Sequence, residues 1–225
     1  MSTKTIRFLF RTISISGAFI IAIICIVNRI PDSDIIKIFA VYFALIIVVW
    51  FMINLDSIIK RSTKLNSIMP LLYTEPELYL KELDKLLGNT KSSAYKVYYY
   101  NNSAVAYYEM GDYAKAKETL LKIDYKSLVG INKETYLVNL ALFCIHLGED
   151  DEALLIWEEH KNEIQHFQKD LSMSSYANVI YIFSLIKSGQ IQEAKDALSA
   201  AKEKWPSKRD MKEFDFLEGL LAEPF

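Results

Sequence analysis

Two long apolar stretches dominate the first quarter of the chain. Residues 12–28 run for 17 positions without a charge, and residues 38–55 for 18. As helices these would cover about 25–27 Å, close to the ~30 Å hydrocarbon thickness of a bilayer. Phe8, Leu9 and Phe10 can lengthen the first run, because Arg11 lies close enough to its end to snorkel. Both runs are bracketed by Lys or Arg, which suits membrane spans better than buried core helices. No A-x-A-like site follows the first run, so a retained anchor fits better than a cleaved signal. Residues 29–37, with Pro31 and Asp32-Ser33-Asp34, read as a tight turn. Ser14, Ala18 and Ala22 form a small-xxx-small series that can pack against the second span.

From about residue 57 the apolar positions take helical spacing, with no alternating strand pattern. Residues 56–69 either continue the second span or form a short helix of their own. Thr74-Glu75-Pro76-Glu77 reads as a helix start capped by Thr74, with early acids and Pro near the first turn. Leu78, Leu80, Leu83, Leu86 and Leu87 follow at helical spacing, and Gly88 closes the segment.

An internal repeat comes next. Gly111, Gly148 and Gly189 each follow a helical run, and each is followed five residues later by an alanine: Ala116, Ala153 and Ala194. Glycine can take the left-handed conformation that ends a helix, and the small alanine lets a second helix approach the first closely. Gly111-Asp112-Tyr113-Ala114-Lys115-Ala116 resembles the turn of the tetratricopeptide repeat (TPR), and Gly189 to Ala194, with Pro206 ending the following helix, is the next best match. The repeats would cover 97–130, 134–167 and 175–208, after a degenerate leading hairpin at 57–88 and before a capping helix at 210–222. The glycines are spaced by 37 and 41 residues rather than the tandem period of about 34, so longer connections are expected. The small residue midway along the first helix is Ala104, then Ala141, then Ile182. The expected fold is all-α: a two-helix transmembrane hairpin (1–56), a juxtamembrane helix and degenerate hairpin (57–92), and a TPR-like α-solenoid of about three helix-turn-helix repeats with a capping helix (93–225).

Charge sharpens this division. Residues 1–64 carry eight Lys/Arg and three acids, whereas the rest of the chain is acidic and the whole has a formal net charge of −2. An acidic domain repels phosphate backbones, so no nucleic-acid partner is expected. Lys4, Arg7 and Arg11 flank the first span and Lys60, Arg61 and Lys64 follow the second; the positive-inside rule then puts both termini in the cytoplasm of a cell-membrane protein.

Chemistry is hard to find. There is no phosphate loop, nucleophile elbow, H-E-x-x-H or EF-hand loop, and two cysteines cannot make a disulfide framework. His160 and His166 stand six residues apart and so face different ways on a helix. Glu149, Asp150, Asp151 and Glu152 read as helix-start acids rather than a calcium loop. No catalysis, metal or cofactor is expected.

The resemblance instead implies a concave groove lined by one face of each first helix. The positions are Tyr98, Asn101, Val105 and Tyr108; Val138, Asn139, Leu142 and His146; and Tyr176, Ile180, Phe183 and Lys187. Such a face suits an amphipathic helix or extended apolar peptide. The carboxylate clamp of some family members is disfavoured, because only Asn139 fits it. The same tyrosines could instead pack against the leading hairpin or the terminal helix. The expected function is a membrane-anchored scaffold that docks a protein or peptide, another membrane protein among the candidates, beside the lipid bilayer. The alternative is an accessory subunit of a transport, secretion or envelope-assembly complex, with the spans making the essential contact.

Overall fold

Helix-forming runs interrupted by Gly, Pro and short polar links produce eleven α-helices, and no strand occurs among the described residues. The computed structural model describes residues 3–167 and 174–222; the side chains of Lys4, Arg7, Asp56 and Arg61 are outside the described set. The chain divides into two units, Met1–Ser67 and Ile68–Phe225. The division falls beyond residue 56 because nothing breaks the second helix until Pro70.

The first unit holds α1 (Thr3–Val27) and α2 (Asp32–Ile68). The segments Phe8–Val27 and Asp32–Met52 are long and apolar enough to cross a membrane, and their side chains are almost entirely unburied. The least exposed positions of α1 are Phe10, Ser14, Gly17, Ala18, Ile21, Ala22 and Cys25, a single stripe rich in small residues. In the apolar segment Asp32–Met52 of α2 the less exposed apolar positions are Ile35, Phe39, Tyr42 and Ile46, again at helical spacing. The stripes meet where the Tyr42 hydroxyl donates to the Ser14 carbonyl at 2.6 Å. Gly17 leaves room for this, since a Cβ there would lie 2.4 Å from the Tyr42 oxygen.

The link between the two helices is shorter than residues 29–37. Asp32 and Asp34 stand in the first turn of α2, where the helix dipole favours acids, rather than in a loop. The turn itself is tight: Ile30 N donates to Cys25 O at 3.0 Å and Arg29 N to Ile26 O at 3.2 Å. Arg29 sits there in the left-handed region, with φ 50°.

The second unit begins with α3 (Leu71–Thr74) and α4 (Pro76–Leu87). Thr74 does not cap α4; its hydroxyl donates back to Pro70 O, and Glu75 takes the N-cap position without a side-chain bond. Three helical hairpins follow: α5 (Ser93–Glu109) with α6 (Tyr113–Leu120), α7 (Ile131–Leu147) with α8 (Asp150–Phe167), and α9 (Ser174–Lys187) with α10 (Ile191–Lys204). Helix α11 (Lys208–Ala222) ends the described chain and packs on α9 and α10.

Gly111, Gly148 and Gly189 all take positive φ, at 79°, 71° and 74°. Each turn has the same pair of backbone bonds, for example Gly148 N to Ile145 O and Glu149 N to Cys144 O, which satisfy the last carbonyls of the preceding helix. Ala116, Ala153 and Ala194 are buried, each in the first turn of the second helix of its hairpin. The α6–α7 link is lengthened by a 3-10 turn at Tyr125–Ser127 and by Gly130, whose φ is 56°. Leu120, Leu142, Phe143, Ile164, Ile180, Phe183 and Phe214 lie in one continuous core that runs through the hairpins to α11.

Candidate functional site

The inner faces of α5, α7 and α9 are aromatic, and α3 and α11 bring further side chains against them. Tyr108 on α5 is the centre. It is 4% exposed and stacks on Phe143 of α7 with ring centroids 5.4 Å apart, and it meets Tyr176 of α9 edge-on at 6.5 Å. Its hydroxyl lies 3.0 Å from His146 Nε2, and the same nitrogen is 2.7 Å from Glu213 Oε2 on α11. The imidazole is held between the Tyr113 ring, stacked at 4.5 Å, and the Phe216 ring at 4.7 Å. Three polar groups thus share one dry junction. Burial pushes the Tyr108 phenol far above its usual range, and the Glu213 carboxylate beside it pushes the same way. Tyr108 therefore remains a hydrogen-bond donor at any physiological pH.

Beside this junction lies a cavity of about 130 Å³. Leu72, Val105, Leu142 and Phe143 give it apolar walls, and Tyr73, Tyr108 and Tyr176 give it aromatic ones. Its polar lining comes from Asn101, Asn102, Thr135, Asn139 and Arg209. Asn139, only 4% exposed, donates from Nδ2 to Asn101 Oδ1 at 3.0 Å. The Arg209 guanidinium lies 4.6 Å from the Tyr73 ring centroid and 5.3 Å from that of Tyr176. Burial raises the Glu109 carboxyl above its ordinary value, although Arg209 and Lys212 pull it down.

No family model, curated protein or solved structure matches the chain.

Of the positions read as a groove, Asn101, Val105, Tyr108, Asn139, Leu142 and Tyr176 line this cavity. Tyr98 does not; its hydroxyl donates to Met69 Sδ at 3.4 Å. Val138, Ile180 and Phe183 are buried in the core, and Lys187 is exposed, paired with Asp150. The inner face also receives side chains from outside the first helices of the hairpins. Leu72 from α3 is itself buried, and α11 contributes Arg209 and Glu213 to the same face. The sequence reading missed α11 as a site element. Its signal was the pair Asp210 and Glu213, three residues apart and on the same side as the apolar Phe214 and Leu217. Acids on a buried stripe require partners.

The remaining clusters are structural. Cys144, Glu149 and Glu152 stand close enough to hold a cation, but the Lys117 ammonium donates to both carboxylates at 2.6 Å and takes that place itself. Lys117 holds the Glu149 carboxyl below its ordinary value. Burial pushes the Cys144 thiol up to about 12. At pH 8 only about one such thiol in ten thousand is ionised, so alkylation of native Cys144 is expected to be slow and to become fast on unfolding. Mass mapping of iodoacetamide labelling with and without denaturant checks this; rapid native labelling contradicts it. His160 and His166 turn to different partners, Tyr125 and Glu134 respectively.

Proposed function

We propose that the chain is a membrane-anchored scaffold with both termini in the cytoplasm, whose TPR-like hairpins dock a protein or peptide at the bilayer. The observation that carries the reading is the pair of long apolar helices with unburied faces in the first unit, joined to a unit of helical hairpins that carries an aromatic, asparagine-lined inner face. Lipid is the medium that suits such helices, whose apolar side chains are almost entirely unburied. The three Lys/Arg flanking each outer end set the orientation and add roughly 1 kcal/mol each of attraction to anionic headgroups. Anchoring also concentrates any partner that shares the membrane.

Burial of Leu142, Ile180 and Phe183 favours a second reading, in which the hairpins are mainly structural and the spans bind the partner within a larger membrane complex. A photo-crosslinking amino acid at Asn101, on the cavity wall, or at Phe39, on the α2 stripe, separates the two in intact cells. The docking reading expects one partner captured at Asn101, retained when residues 1–56 are exchanged for an unrelated two-span anchor. Capture at Phe39 alone, with none at Asn101, supports the second reading and overturns the first.

A further inference from the structure

The cavity beside Tyr108 has a chemical character independent of any docking role. Among the described residues that line it, Arg209 is the one charged group, and no carboxylate faces it. The rings of Tyr73 and Tyr176 pack near the guanidinium and restrict its plane. Its Nε is buried and has no hydrogen-bond partner. That nitrogen is closed off from solvent, so an entering carboxylate meets the terminal N–H groups of the guanidinium. The cation comes from α11, outside the three hairpins. The volume, about 130 Å³, is near that of engineered apolar cavities of about 150 Å³ that hold benzene. Tyr73 and Arg209 are both partly exposed and give a ligand a way in from solvent.

We propose that this cavity binds a small monocarboxylate with an aromatic or branched apolar body. The acid group pairs with the terminal N–H groups of Arg209. The body lies among Leu72, Val105, Leu142 and Tyr176, beside the Asn101–Asn139 amide pair. Glu109 and Asp210 are the internal rivals: Glu109 Oε1 and Asp210 Oδ1 are also buried without a hydrogen-bond partner, the Glu109 charge acts on Arg209, and Asp210 Oδ1 lies 3.9 Å from Arg209 Nη2. An occupied cavity bridges α3, α5, α7, α9 and α11, so the ligand also fastens the terminal helix to the hairpins.

The test uses full-length protein in nanodiscs of zwitterionic lipid, with empty nanodiscs as reference and 4-fluorobenzoate as the probe, read by fluorine NMR. Saturable binding is expected with Kd on the order of 1 mM or tighter. Arg209→Gln is expected to weaken it roughly tenfold or more. Val105→Phe, which fills the cavity and leaves Arg209 in place, is expected to abolish it without loss of helical circular dichroism. Glu109→Gln is expected to tighten binding, a gain that a damaged fold cannot produce. Three results overturn the proposal: no saturable binding, equal binding of 4-fluorobenzyl alcohol, or unchanged binding in Val105→Phe. Binding of a peptide with a C-terminal phenylalanine carboxylate, where 4-fluorobenzoate fails, also overturns it in favour of a chain terminus.

Discussion

Replacing His146 with leucine is expected to destabilise the second unit by about 3–5 kcal/mol, the cost of removing one partner of a buried polar pair. Glu213 is 2% exposed, and His146 Nε2 approaches its Oε2 at 2.7 Å. Leucine keeps most of the volume between Tyr113 and Phe216, so cavity formation is a minor part of the loss. What remains is a carboxylate with Tyr108 as its nearest donor in a dry aromatic setting. Glu213→Gln should cost far less, about 1 kcal/mol, since the amide is neutral. The double variant His146→Leu/Glu213→Leu should recover most of the single loss, because no charge is then left unpaired. Thermal unfolding of the full chain in micelles, followed by circular dichroism, reads this as a drop of about 6–20 °C for His146→Leu. A double variant no more stable than His146→Leu alone would remove the pair from the account of how α11 is held.

The ease of reading different parts of this molecule from sequence follows from the range of the forces involved. The two apolar helices were legible because an uncharged run of bilayer length has few other uses, and all-helical character was legible because helical spacing persists from residue 57 onward. The start of α2 was misread. Asp32-Ser33-Asp34 suits a turn by local preference, but acids also suit a helix N-terminus, and Arg29 instead takes the left-handed position that closes the turn. The helix start at Pro76, with Glu77 in its first turn, follows the sequence, but Thr74 is not its cap: the Thr74 hydroxyl found the Pro70 carbonyl within its own short helix. The resemblance to the tetratricopeptide repeat also singled out Asn101, Val105, Tyr108, Asn139 and Leu142, which meet at one cavity. The partners from farther away were not legible. Glu213 is 67 residues from His146, and its acid group looks like any surface glutamate until tertiary packing buries it. Leu72 and Arg209 reach the cavity for the same long-range reason.

Placing arginines at Leu45 and Val49 is expected to weaken the hold of the membrane on the chain, leaving α1 as the one helix that suits lipid among the described residues. These side chains are 60% and 42% exposed, one helical turn apart on α2, and lie within the apolar segment Asp32–Met52. In lipid each central arginine costs about 2.5–3.5 kcal/mol on insertion scales, so the pair costs about 5–7 kcal/mol. In water the same exposed positions would tolerate charge with changes below about 0.5 kcal/mol. The two environments therefore predict opposite results for one variant. Carbonate extraction of membranes, with immunoblotting of pellet and supernatant, separates them. Leu121→Arg, on an exposed position of the second unit, serves as the reference and should leave the chain in the pellet. Tyr42→Phe should also remain there, since loss of its bond to the Ser14 carbonyl is worth only about 0.6 kcal/mol between membrane helices. If the double arginine variant pellets as firmly as the parent chain, lipid does not surround α2. The apolar faces of α1 and α2 would then need a protein partner to cover them, and the anchored scaffold would give way to the reading in which the first unit is itself the binding surface.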